Sequence, residues 1–313
     1  MSDARIAVFG YLDVGHACLR LLLEHGDRVV AVYTHADNPA EQRWFPSVAD
    51  LADAHGVPVH RDVDFAAADA VAQLRRYAPD LLFSFYYRNL LPAAVLEVPR
   101  LGAYNMHGSL LPKFRGRAPV NWAVLKGERE TGATLHVMVQ KADAGDIVDQ
   151  EPVPIGPDDT AAEVQARVTR AAVAVLTRQI EALKAGTAPR RPQDPGRSST
   201  FGRRRPEDGR IDWQRPAAEV HNLVRAVTHP YPGAFAEVGG RRLYMWRTRC
   251  AGTDAGGRPA GTLWIESGRA HAACGDGLTV EILSAQWDTE AEVQGHDLAR
   301  ALGLPPTPVL ERS

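Results

Sequence analysis

Asn105 and His107 stand one residue apart, in a stretch running from Asn105 to Arg117 that opens at the carboxyl end of an apolar run. In extended chain that spacing puts both side chains on the same side. Histidine carries a proton near neutral pH. The asparagine amide offers an N–H₂ group that can donate to an oxyanion. Leu111-Pro112 and then Gly116 turn the chain away, leaving the pair in a cleft. Asp143 follows in the loop from Lys141 to Asp146, between two expected strands. A carboxylate beside an imidazole favours the protonated form. Taken singly, a histidine after a strand is more often structural and an asparagine there a turn residue. The whole string from Asn105 to Gly116, with an aspartate beyond it, favours catalysis. His107, His136 and Asp143 are also metal-binding types, but their spacing matches no recognised ligand pattern, and no metal is expected.

The residues that must position this group read as an α/β fold. Strands are expected at Arg5–Phe9, Val29–Tyr33, Val57–His60, Asp80–Phe85 and Gly102–Met106. Between them, Val14–Leu23, Pro46–His55 and Phe65–Tyr77 carry helical patterns; Val14, Ala17, Cys18, Leu21 and Leu22 share one helix face. Continuous apolar strands alternating with helices predict a Rossmann-like, mostly parallel sheet covered on both faces. Ligands of such sheets sit beyond the carboxyl ends of the strands, which is where Asn105 and His107 fall. A helix near Pro119–Lys126, strands near Thr131–Val139 and Ile147–Pro154 and a long helix from Thr160 to Ala185 complete a first domain, residues 1–186.

Residues 187–200 hold three prolines and a glycine without apolar periodicity, and read as a linker. Residues 201–313 change texture. One helix at Pro216–Val227 precedes short alternating segments at Phe235–Val238, Arg241–Thr248, Gly261–Ser267, Arg269–Ala273 and Leu278–Gln286. Glycine-rich turns between them predict a small OB-like β-barrel.

Composition excludes several classes. Of 313 residues, 45% are hydrophobic and 24% charged, as in an ordinary globular chain. A net charge of −2 gives no whole-molecule basic field for nucleic acid. Cys18, Cys250 and Cys274 are too scattered for a disulfide framework, so reduced thiols and a cytoplasmic location are expected. The N-terminal stretch reads as a first strand and not as a signal peptide, and no apolar run is long enough for stable membrane insertion. Gly10–Gly15 is not a dinucleotide fingerprint, and no P-loop, nucleophile elbow or zinc-protease string occurs.

The string from Asn105 to Gly116, with Asp143 following, resembles the signature of the 10-formyltetrahydrofolate-dependent formyltransferases. Ser84–Arg88, Glu130–Gly132, Ala142–Gly145, Phe201–Arg204 and Ile211–Trp213 also sit where that family has them, so the resemblance spans nearly the whole chain. His107–Trp122 and Thr34–Pro39 are especially like the branch that formylates UDP-4-amino-4-deoxy-L-arabinose in lipid A modification and polymyxin resistance. There the formyltransferase is half of a bifunctional enzyme; here a stand-alone one is implied. The resemblance implies His107 as proton donor and acceptor, Asn105 as support for the oxyanion, and Asp143 as the carboxylate favouring protonated His107. It implies folate contacts at Asn89, Leu90, Leu91, Arg117, Val139, Gln140, Lys141, Ala142 and Asp143. Asn89 departs from a histidine in the close relatives, and Gln140-Lys141 from Lys-Arg. The chemistry agrees: an amine attacks a formyl carbon, charge develops on oxygen, and a histidine serves both proton transfers.

Charge bears on the acceptor. From Phe201 onward there are 14 arginines, no lysine and 14 acidic residues, a balance of zero. A tRNA-binding domain of the kind found in methionyl-tRNA formyltransferases should be clearly basic. Arg203, Arg204 and Arg205 form a local cluster that suits a diphosphate, a tRNA backbone or a solvated linker end. The expected partners are folate and a UDP-linked amino sugar, and not nucleic acid. Another nucleotide amino sugar, or a folate- or nucleotide-binding module without catalysis, are the alternatives.

Overall fold

The structure, a computed structural model, describes residues 3–37, 43–295 and 297–303. Asn38 and Pro39 of the Thr34–Pro39 motif lie outside the described residues, as does the chain beyond Gly303. The chain forms two compact units. The first comprises Met1–Pro119, Glu130–Pro154 and Gln165–Gly202; the second comprises Val120–Arg129, Ile155–Val164 and Arg203–Ser313.

The first unit is built on a seven-stranded sheet. Its strands are β1 (Arg5–Gly10), β2 (Arg28–Thr34), β3 (Val59–Arg61), β4 (Leu81–Phe85), β5 (Gly102–His107), β7 (Glu130–Val137) and β8 (Ile147–Pro154), in the order β3-β2-β1-β4-β5-β7-β8. Pairing is parallel from β3 to β5. It turns antiparallel at β5–β7 and again at β7–β8, where the short loop between Val137 and Ile147 leaves no room for a crossover. All five residues of β4 are buried, as two covered faces require. Helix α1 (Leu12–Glu24) buries Val14, Cys18 and Leu22 of the expected face together with Gly15 and Leu19, while Ala17 and Leu21 are only half-buried. Phe9 stacks on Tyr33 at 4.6 Å inside an apolar cluster that also holds Leu74, Leu82 and Val95. Helices α2 (Val48–Ala54), α3 (Ala68–Arg76) and α4 (Ala93–Leu96) fill the remaining connections, and α5 (Pro119–Leu125) follows the site loop.

A second, two-stranded sheet lies in the same unit. Strand β6 (Arg115–Gly116) pairs in parallel with β9 (Thr200–Phe201). The segment that reads as a linker is therefore ordered at both ends, with Arg191 bridged to Ile147 and Thr200 paired to Arg115. Helix α6 (Ala161–Lys184) belongs partly to each unit, its residues to Val164 in the second and those from Gln165 in the first.

The second unit carries an antiparallel sheet of β10 (Ala234–Val238), β11 (Arg241–Asp254), β12 (Leu263–Glu266), β13 (Arg269–Ala273), β14 (Leu278–Trp287) and β15 (Val293–Gln294). Its order is β10-β11-β14-β13-β12, with β15 on β14. Three register shifts bend β11 against β14. Helix α7 (Ala217–Val227) lies against this sheet, and a short α8 (Asp297–Leu302) follows it. Buried polar side chains of α7 draw the two early segments into this unit. The Arg225 guanidinium donates to the carbonyls of Gly156 and Asp159, and Asn121 donates to the Ala226 carbonyl at 2.8 Å. A buried guanidinium has no water to satisfy it, so these carbonyls must come to it. Among the described residues no helix is long and apolar enough to cross a membrane.

Candidate active site

Asn105 and His107 lie on β5, with Asn105 opposite Ser84 of β4 on one side and His136 of β7 on the other. Met106, between them, points into the core and is 1% exposed. The two-residue period of the strand therefore sends Asn105 and His107 to one side together. His107 Nε2 lies 2.7 Å from the carbonyl oxygen of Phe114. A carbonyl can only accept, so that nitrogen holds a proton. The nitrogen left to gain or lose one is Nδ1, which faces Asp143 Oδ1 at 3.7 Å.

Asp143 is fixed from several directions. Its Oδ2 accepts the backbone N–H of Gly116 at 2.8 Å, and its Oδ1 is 3.5 Å from His136 Nε2. Burial alone would push this carboxyl up. The His107 imidazolium and the Gly116 amide outweigh burial and hold it well below the usual carboxylate range. The residue is therefore ionised, and it faces the one exchangeable nitrogen of His107. Its backbone has φ 53°, in the left-handed region, as do Tyr86 at 59° and Phe114 at 57°. Three strained residues around one cluster are what a functional site shows when its surroundings over-determine it.

Asn105 brings a constraint that its residue type does not reveal. His136 Nδ1 donates to the carbonyl of Val137 at 2.9 Å, which leaves Nε2 as an acceptor. Asn105 Nδ2 supplies that acceptor at 3.1 Å and reaches Asp143 Oδ1 at 3.4 Å. Both amide hydrogens thus have partners, and serving an oxyanion requires one of them to be shared. His107, His136 and Asp143 do come together, but the Asn105 N–H₂ stands among them where a cation would need to be.

The remaining expected residues divide. Asn89 and Leu90 are exposed, Leu90 at 78%, while Leu91 is buried. Val139, Gln140, Lys141 and Ala142 are exposed on the loop that leads into Asp143. Arg117 donates to the Arg88 carbonyl at 2.9 Å, linking the loop after β6 to the one after β4. Arg203, Arg204 and Arg205 belong to the second unit. Arg204 lies over the Trp122 ring at 5.0 Å and donates to the Asp208 carbonyl, while the Arg205 N–H donates to the Asp208 carboxylate. The triad residues belong to the first unit.

Residues 4–180 match the formyl transferase family, and residues 204–303 match the formyl transferase C-terminal domain. The chain belongs to the formyl transferase family. Solved structures share the fold. The N-formyltransferase from Helicobacter canadensis, in complex with folinic acid and dTDP-3-aminofucose, has a TM-score of 0.71 at 19% identity, over 90% of this chain and 99% of that one. WlaRD, a sugar 3N-formyl transferase with dTDP and 5-N-formyl-THF, gives 0.70 at 18%, over 92% and 99%. HypX from Aquifex aeolicus, in complex with tetrahydrofolic acid, gives 0.65 at 21%, over 100% of this chain and 50% of that one.

In this formyl transferase the sequence left out several residues that build the site. His136 was visible only as a potential ligand. Its signal was the polar alternation Thr134, His136 on an otherwise buried strand. Thr134 Oγ1 donates to the Ser109 carbonyl and accepts from the Leu111 N–H at 3.2 Å, holding the loop after His107. The Phe114 carbonyl and the Gly116 amide are backbone groups, which residue types do not advertise. Gly116 carries φ 99°, and a Cβ there would strike the Phe201 carbonyl oxygen.

Proposed function

We propose that this chain transfers the formyl group of 10-formyltetrahydrofolate to the amino group of a nucleotide-linked amino sugar. The observation that carries this reading is the meeting of Asn105, His107 and ionised Asp143 at the end of β5, in a chain of the formyl transferase family. Neighbours of the same fold solved with folates and with a dTDP-linked amino sugar support the two substrate classes.

In this reading the acceptor amine attacks the formyl carbon, and the bond from that carbon to the folate nitrogen breaks. His107 takes the amine proton at Nδ1 and returns it to the departing nitrogen. The cation it forms in between is stabilised by Asp143. Asn105 turns an amide N–H to the oxygen that gains charge. Exposed Leu90 and Val139 offer apolar surface for a flat folate ring, with Asn89, Leu91, Arg117, Gln140, Lys141 and Ala142 around it. No step needs a metal.

For the acceptor we favour UDP-4-amino-4-deoxy-L-arabinose, in lipid A modification and polymyxin resistance, acting in the cytoplasm. Arg203–Arg205 are assigned to its diphosphate. The test is a formylation assay with 10-formyltetrahydrofolate and a panel holding that sugar nucleotide, a dTDP-linked amino sugar and methionyl-tRNA. Turnover of the UDP sugar well above the others is expected. Preference for the dTDP sugar would move the acceptor within its class, and preference for tRNA would reject the class.

A further inference from the structure

Gln193 lies in the stretch that reads as a linker, yet both ends of its carboxamide are engaged at the site. Nε2 donates to the carbonyl of Asp143 at 2.8 Å and to that of Gly145 at 2.7 Å. Oε1 accepts from Arg115 Nη2 at 2.6 Å and Nε at 3.2 Å. Arg115 is only 6% exposed, and among the described residues its side chain pairs with no carboxylate. The neutral amide oxygen of Gln193 is what receives this buried guanidinium. Gly116, the next residue, donates its N–H to the Asp143 carboxylate at 2.8 Å. The circuit therefore closes. Asp143 is held at its carboxylate by the backbone of β6, and at its carbonyl by Gln193, which the side chain of β6 holds in turn. Without Gln193, the carbonyls of Asp143, a loop residue in the left-handed region, and of Gly145 lose this donor.

We infer that Gln193 is a positioning residue for Asp143, so that the stretch between the domains supplies part of the catalytic apparatus. This rests on the formyl-transfer reading only for its kinetic test. Gln193→Glu keeps the acceptor for Arg115, as an ion pair, but sets an oxygen against two carbonyl oxygens. Gln193→Met removes donor and acceptor together at similar volume. Both are assayed with a donor and acceptor that the unaltered protein turns over, with the rate referred to the fraction of protein that is folded. The expected result is kcat lower by roughly ten- to a hundredfold, since small misplacements of a catalytic group cost that much. KM for each substrate should move by less than about threefold, because Gln193 is not among the residues assigned to either substrate.

A second readout does not depend on turnover. An NMR titration of the Asp143 carboxyl should show it rising toward the ordinary carboxylate range in both variants, as it withdraws from His107 and the Gly116 amide. A kcat within about twofold of the unaltered protein, or a loss carried by KM, overturns the inference. So does an unmoved Asp143 titration. If the unaltered protein formylates nothing, the functional reading fails, and the titration alone decides the role of Gln193.

Discussion

Asp143→Asn isolates a single quantity, the charge facing His107. The backbone there has φ 53°, and asparagine tolerates the left-handed region at least as well as aspartate, so the loop is not strained by the change. The amide oxygen can still accept from Gly116, at the place where Oδ2 now accepts at 2.8 Å. What is lost is the negative charge 3.7 Å from His107 Nδ1. Both side chains are nearly buried, at 7% and 12% exposure, so solvent screening removes little. At an effective dielectric of about 20, a charge pair at that distance is worth about 4 kcal/mol. This stabilisation exists only once His107 has taken the amine proton, so it acts on the barrier and not on binding. About 4 kcal/mol corresponds to roughly three powers of ten in rate. The amide dipole recovers part of it, and a loss in kcat of about 10²–10³-fold is expected. The measurement is steady-state formyl transfer with thermal unfolding as a control for the fold. A kcat within about tenfold of the unaltered enzyme would refute the pairing, because the charge would then have no part in the barrier.

His107→Ala should lower kcat by about 10²–10⁴-fold with little change in the unfolding midpoint; a near-normal rate removes the proton carrier from the mechanism. Acid should erode stability through Asp143. Its folded carboxyl is held low, so its contribution is complete above the unfolded value of about 4 and is lost as pH falls below that toward the folded value. Urea unfolding of the unaltered protein and Asp143→Asn should show a stability gap that narrows over that window; a constant gap contradicts the depression. Gly116→Ala should destabilise by about 1–3 kcal/mol or more, since it must hold φ 99° and displace the Phe201 carbonyl, and chemical unfolding measures it. Arg204→Ala should raise the acceptor KM and leave the folate KM alone; the reverse pattern withdraws that cluster from the sugar nucleotide.

The elements with long apolar periods were legible in the chain. Strand Ile147–Pro154 and strand Arg269–Ala273 fall where alternation and turn residues put them. That Asn105 and His107 share one side was legible because a strand end and a two-residue period are local properties, whereas the approach of Asp143 was suggested only by the resemblance. Strands β6 and β9 were not, because each has two residues and exists only through its pairing with the other. The prolines at 189, 192 and 195 marked the stretch before β9 as a linker, and among the described residues it holds no α-helix, only a single 3₁₀ turn at Pro195–Arg197. Proline does not prevent a side chain such as Gln193, or a backbone group such as the Ser199 carbonyl, from meeting partners far away in sequence. The antiparallel turn at β7 was hidden for a similar reason: a buried strand looks the same in either direction.

Much of the site is made by backbone groups: the Phe114 carbonyl for His107, the Gly116 amide for Asp143, the Val137 carbonyl for His136. Such groups demand close approach more than particular side chains. A Cβ at Gly145 would strike the same Val137 oxygen that fixes the His136 tautomer, and a Cβ at Gly116 would open β6 from β9. The buried cluster therefore constrains a few glycines and three functional side chains tightly. The rim at Leu90, Val139, Gln140 and Lys141 is exposed, so its side chains are freer to change than those of the buried cluster. Differences at Asn89 and Gln140-Lys141 from the resembled branch fall on this rim, where on the proposed reading they would alter the fit of a bound folate and not the proton transfer. Discrimination between substrates should thus be separable from rate, with rim substitutions appearing in KM and cluster substitutions in kcat.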